Sequence, residues 1–173
     1  MAYAVVRTDK LMGTDVRSML ESVKYLGADG STPTAIENGN VLKVGALEGD
    51  ATNGYEREVK VGSVPAANDT LDSIVLVATP EVMYDERLRN LDEFRNEAGA
   101  IVRGYHLHSG DIFSVTKPAL DGKASPAIGD VVELKAGTKL NVAGSATNGS
   151  TVVGSILAID VVGRNTYYVI QVA

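Results

Sequence analysis

Val152-Val-Gly-Ser-Ile-Leu-Ala-Ile-Asp-Val-Val-Gly-Arg-Asn-Thr-Tyr-Tyr-Val-Ile-Gln-Val172 holds two strand signals, 152–162 and 166–172, with Gly163, Arg164 and Asn165 between them. Both are rich in Val, Ile and Tyr, side chains that fit the pleated, half-buried surface of a sheet, whereas Gly and Asn interrupt it. Residues 156–162 are apolar except for Asp160, the pattern of a central or doubly covered strand. Ile74-Val-Leu-Val-Ala78 is continuously apolar and reads the same way.

Outward from these stretches, similar short runs recur at 2–7, 41–44, 56–61, 73–78, 100–105, 111–116, 130–135 and 139–143. In Glu56-Arg-Glu-Val-Lys-Val61 charged and apolar residues alternate towards the end, so one face is wet. Many short strands separated by Gly, Asn, Asp or Pro predict an all-β chain, a small antiparallel barrel or sandwich. The expected organisation is an N-terminal arm and extended or helical segment over 1–34, then a β-rich domain over 35–173, divisible into packed halves at 35–120 and 121–173.

Two segments carry helical spacing. In 14–26, Val16, Met19, Leu20 and Val23 share a helical face behind Thr14 as N-cap, yet 22–26 alternates like a strand, and both readings stay open. Over 84–97, Leu88, Leu91 and Phe94 fall on one side ahead of Gly99, giving one short helix or ordered charged loop. A smaller pattern recurs at Asn38-Gly-Asn-Val-Leu42, Ser109-Gly-Asp-Ile-Phe113 and Ile128-Gly-Asp-Val-Val132. Gly tolerates positive φ and Asx bonds its neighbouring backbone, so each is read as a tight turn feeding a strand, a repeated turn and not a repeated domain.

At 173 residues, 45% hydrophobic and 22% charged, the chain has the composition of a folded globular protein. Its 16 Lys+Arg against 22 Asp+Glu, net charge −6, and the interruption of Arg87 and Arg89 by acidic neighbours argue against direct nucleic-acid binding. Aromatics at 5% leave little for stacking on bases or sugars. Without cysteine there is no disulfide, thiolate nucleophile or Cys-based metal site. No apolar run approaches the roughly 20 residues of a membrane helix, and the first residues do not form a signal-peptide core, so a soluble product without an export signal is expected.

Chemistry is sparse. Gly49 and Gly54 have phosphate-loop spacing, but Tyr55 and Glu56 stand where Lys and Ser or Thr are needed. His106 and His108, two apart in an expected strand, would share a face and are the candidate metal ligands, with Asp111 or an acidic residue of 81–97 as third donor. No zinc motif accompanies them, so surface or interface histidines are the simpler reading. The carboxylates Asp85, Glu86, Asp92, Glu93 and Glu97 alternate with Arg87, Arg89 and Arg95 as a self-neutralising surface does. No Gly-x-Ser-x-Gly elbow occurs. The expectation is a chain without catalytic residues, cofactor or metal.

Three stretches carry a family resemblance: 35–47 (AIENGNVLKVGAL), 79–86 (TPEVMYDE) and 104–115 (GYHLHSGDIFSV). They resemble virion structural proteins of tailed bacteriophages, and more loosely the β-barrel decoration, or cement, proteins of phage heads. The resemblance spans 35–116 and has no catalytic signature. It implies a homo-oligomeric protein made in the bacterial cytoplasm and bound to the major capsid protein on the virion exterior, with no direct nucleic-acid or membrane contact. Candidate contacts to shell or neighbouring subunit are Tyr3, Val5 and Arg7, in an N-terminal segment expected to project, and Arg87, Arg89 and Phe94. The apolar C-terminal strand ending at Ala173 is a further candidate for pairing with a neighbour. Alternatives are a head-fibre or baseplate module that binds a receptor or carbohydrate, and a small metal-dependent hydrolase using His106 and His108.

Overall fold

The computed structural model describes residues 3–7, 19–49, 58–82 and 93–173. Among the described residues eleven strands form two sheets: β1 Leu20–Tyr25, β2 Val41–Leu47, β3 Lys60–Ser63, β4 Ile74–Val77, β5 Ile101–His106, β6 Ile112–Thr116, β7 Leu120–Gly122, β8 Val131–Glu133, β9 Leu140–Ala143, β10 Val152–Val162 and β11 Asn165–Val172. β1 to β5 close a barrel in the order β1-β3-β2-β4-β5, and the remaining six form a curled sheet in the order β6-β11-β10-β8-β9-β7. The chain is thus mainly β, as its strand signals predict.

Why β4 is apolar throughout is clear from its two neighbours. Alternate side chains leave a strand on opposite faces. Val75 and Val77 join Val23, Leu42 and Val102 in one core, while Ile74, Leu76 and Ala78 join Phe113, Leu140, Ile156 and Ile170 in another. Burying both faces needs a continuous apolar run, which β4 supplies. The smaller core has little room: a Cβ on Gly104 would stand 2.7 Å from Val75 Cγ2, and one on Gly62 2.7 Å from Val23 Cγ1. β3 and β5 each meet this narrow interior at a glycine, Gly62 and Gly104.

The curled sheet repeats the barrel's pairing. With β6 and β7 together in the place of β1, and β8, β9, β10 and β11 in the places of β2, β3, β4 and β5, every partnership and direction recurs. β1 pairs parallel with β3 and antiparallel with β5, as β7 pairs with β9 and β6 with β11. The other three pairs are antiparallel in both sheets. Individual hydrogen bonds recur too. Gly39 N–H donates to Val77 O and Val77 N–H to Asn40 O, both 2.8 Å, while Gly129 N–H donates to Ile156 O at 2.8 Å and Ile156 N–H to Asp130 O at 2.9 Å. The turns at Gly39 and Gly129 therefore mark equivalent points of two like halves, while the third, at Gly110, bonds Val172 of β11 ahead of β6; the three glycines lie at φ 82°, 88° and 91°.

The halves differ where β1 runs unbroken but β6 and β7 are parted by a 3-10 turn, Lys117–Ala119. Pro118 has no N–H to give a ladder, so pairing breaks there. The outer edge of β6 is covered instead by the N-terminal segment: Val6 bridges Val115, Arg7 N–H donates to Ser114 O at 3.0 Å, and Thr116 N–H to Val5 O at 2.9 Å.

Several expectations need correction. Residues 156–162 are not doubly covered: Leu157 is 50%, Val161 75% and Val162 49% exposed, because β8 pairs with β10 only through Ser155. The strand reading prevails over 20–25, where β1 is an integral barrel strand rather than part of an arm, while Thr14 and the rest of 8–18 lie outside the described residues. Residues 3–7 make one bridge rather than a strand and lie packed rather than projecting. Over 84–97 only 93–97 is described, and there Asn96 bridges Ile36. β11 is not a free edge, since it lies between β10 and β6. A division by sheet falls between His106 and Ile112.

Candidate functional surface

Two of the three stretches that carry the resemblance, 35–47 and 79–86, meet at a buried polar junction through Asn38 and Thr79. Asn38 Nδ2 donates to Thr79 O at 2.8 Å, and Thr79 N–H returns a bond to Asn38 Oδ1 at 3.0 Å. Asn96 Nδ2 donates to Ile36 O and to Asn38 Oδ1, each at 3.1 Å. Asn40 Nδ2 ties the turn to Glu37 O at 3.0 Å, and Glu37 Oε2 accepts Ala4 N–H at 3.0 Å. Buried amides must be bonded, and here they staple the N-terminal segment and two loops to the barrel. This junction is architecture.

His106 and His108 do not form a shared site. His106 closes β5 and its Nε2 lies 3.5 Å from Glu21 Oε1, which also meets Lys60 Nζ at 2.5 Å. His108 is past the strand end and exposed, and its N–H donates to Asp111 Oδ2 at 2.9 Å within a turn. Asp111, the candidate third metal donor, serves this turn instead. Among the described residues no group of three His, Cys, Asp or Glu is placed to hold a metal. The Glu21–Lys60–His106 cluster spans β1, β3 and β5, a juxtaposition invisible in sequence because it depends on barrel closure.

Of the contact candidates, Val5 is 1% exposed, buried beneath the groove that Tyr3 also lines. Tyr3 is half-buried, with its hydroxyl accepting from Arg95 Nη1 at 3.2 Å and the Arg95 guanidinium 5.5 Å from its ring centroid. Arg7 lies over the Tyr167 ring at 5.7 Å. Phe94 is half-buried, and Arg87 and Arg89 lie outside the described residues. Tyr3 lines an open groove of about 290 Å³ with Lys117, Pro118, Arg164, Asn165 and Tyr168. This groove gathers tyrosines and cations in a chain of net charge −6. Lys117, Arg164 and Tyr168 were not singled out in sequence, because the β6–β11 pairing and the turn at Pro118 bring them together.

Two acidic side chains hold neighbouring turns. Asp130 accepts Lys123 Nζ at 2.8 Å and Ala127 N–H at 2.7 Å, and these bonds, the lysine's foremost, hold its carboxyl below the ordinary range. Burial alone would raise Glu133, yet bonds from the Thr147 hydroxyl at 2.6 Å, Thr147 N–H at 2.8 Å and Asn141 Nδ2 at 2.8 Å outweigh it and lower the pKa. Such lowered carboxyls mark satisfied structural anions. Comparison with protein-family models, curated proteins and solved structures finds no match to this chain.

Proposed function

We propose that this chain is a non-enzymatic decoration protein of a tailed-phage head, bound in many copies to the major capsid protein on the virion exterior after synthesis in the bacterial cytoplasm. The observation that carries the reading, beside the resemblance over 35–116, is the groove between Tyr3 and Tyr168, rimmed by Lys117 and Arg164. Tyrosine and arginine are the side chains most often found anchoring protein interfaces, because each covers much area and keeps a polar handle. A cationic rim also suits an acidic partner surface. A decoration protein acts by binding the assembled shell better than free subunits, so its differential affinity shifts assembly towards the shell.

The test is co-sedimentation of purified protein with heads lacking decoration, followed by heating. Saturable binding that raises the temperature of head disruption is expected, with Tyr3→Ala and Arg164→Glu each weakening retention about tenfold, roughly the effect of a modest hot spot. Absence of binding to intact heads would overturn the reading. So would turnover of any substrate that disappears in His106→Ala or Glu21→Gln.

A further inference from the structure

The pair Asn-Gly occurs at 38–39, 53–54 and 148–149. Glycine has no side chain to keep its backbone nitrogen away from the carboxamide of the residue before it, so the pair is open to attack by its own chain. Whether the attack happens depends on what holds the two groups, and the pairs at 38 and 148 stand at opposite extremes.

Asn38 is 1% exposed and both ends of its amide are held: Nδ2 donates to Thr79 O at 2.8 Å, while Oδ1 accepts Thr79 N–H at 3.0 Å and Asn96 Nδ2 at 3.1 Å. The attacking nitrogen is held as well, since Gly39 N–H donates to Val77 O at 2.8 Å. Space is short there too, a Cβ on Gly39 standing 2.9 Å from Ala119 Cβ. Asn148 and Gly149, by contrast, lie in a run of exposed residues over 144–149. Their turn is closed around them by Ser150 N–H donating to Thr147 O at 3.1 Å. Among the described residues nothing hydrogen-bonds the Asn148 side chain or Gly149 N–H, and a Cβ on Gly149 would meet no atom within 4 Å.

We infer that Asn148 is a site of spontaneous deamidation in the folded protein, and that the fold shields Asn38 from the same reaction. The Gly149 nitrogen loses its proton to water or hydroxide and bonds to Asn148 Cγ. The Cγ–Nδ2 bond breaks, and Nδ2 takes a proton from water and leaves as ammonia. The five-membered imide then consumes a water. Cleavage of the new Cγ–N bond restores the chain with an aspartate at 148; cleavage of the original peptide C–N bond leaves an isoaspartate, whose chain runs through Cβ and Cγ. Water is the sole co-reactant, and either product carries a new negative charge.

The site bears on stability because its turn is anchored on both sides. Thr147 gives its N–H and its hydroxyl to the buried Glu133, and Thr151 N–H donates to Ala67 O at 2.7 Å. An isoaspartate lengthens the backbone between these anchors and loosens the bonds to Glu133, whereas an aspartate keeps the length and alters charge alone.

The test is to age the full chain at mildly alkaline pH, digest it, and read each Asn-Gly peptide by mass spectrometry for the exchange of –NH2 for –OH. In the folded protein Asn148 is expected to convert at least about tenfold faster than Asn38, which reacts only through an opening that breaks its bonds. In concentrated urea, where neither pair is held, the ratio should fall to about one. Asn148→Gln, whose longer side chain forms the ring poorly, should remove the fast conversion. The isoaspartate form, separated by chromatography, should melt below Asn148→Asp, which carries the charge without the longer backbone. An unconverted Asn148 in the folded protein, equal conversion of Asn38, or a ratio that persists in urea overturns the proposal. Equal melting of the isoaspartate form and Asn148→Asp overturns the link to Glu133.

Discussion

At the scale of the residue, two glycines and one glutamate do the most. Gly62 and Gly104 are needed for space rather than for unusual backbone angles, since an added Cβ meets Val23 or Val75 at 2.7 Å. Gly104→Ala should destabilise the fold by roughly 1–3 kcal/mol through overpacking, read as a lower midpoint in urea. An unchanged midpoint would mean that the barrel interior relaxes more easily than its packing indicates. Among the described residues Glu133 is the largest buried acidic side chain, and Glu133→Ala strands the bonds donated by Thr147 and Asn141. A loss of roughly 2–3 kcal/mol is expected. Its sign with pH follows from linkage. Glu133, Asp69, Asp121 and Asp130 all have folded pKa values below their ordinary ones. On acidification the unfolded chain therefore takes up protons first, so the stability these groups lend is complete above the ordinary carboxyl range, about pH 4, and is lost as pH falls through their folded values. Melting temperatures measured between pH 7 and 3 should drop below about pH 4.5, and less steeply in Glu133→Gln.

Elements differ in how openly their sequences declare them. β4 was legible because covering both faces demands an unbroken apolar run. The same pattern over 156–162 misled, because the hairpin runs on past the end of its pairing with β8 and leaves Leu157, Val161 and Val162 exposed. β7 left no signal, being three residues long and ending in Gly122. The N-terminal segment is the element whose role changed most. Ala4, Val5 and Val6 are each about 1% exposed and are fastened to β6. Deleting residues 1–7 should cost roughly 3–5 kcal/mol through lost apolar burial, visible as a lower melting temperature of the isolated protein. Were that segment only a contact arm, its removal would leave the melting temperature unchanged.

For the whole molecule, the two halves share strand pairing and also a core: Val41, Ile74, Leu76 and Tyr105 of the barrel lie in one cluster with Phe113, Val132, Leu140 and Ile170 of the curled sheet. A common core couples their unfolding, so a single transition in urea is expected by both fluorescence and circular dichroism. Two separated transitions would show that each half holds its own stability. The all-β class, the positions of most strands and the recurrent Gly-Asx turns were determined by sequence alone, because side-chain periodicity and turn chemistry are local properties of the chain. Tertiary structure decided the rest: that the turns at Gly39 and Gly129 mark two like halves, that His106 meets Glu21 rather than His108, that Val5 is buried, and that β11 is not a free edge. These depend on which distant strands become neighbours, and many strand orders can satisfy one local pattern, so only packing selects among them.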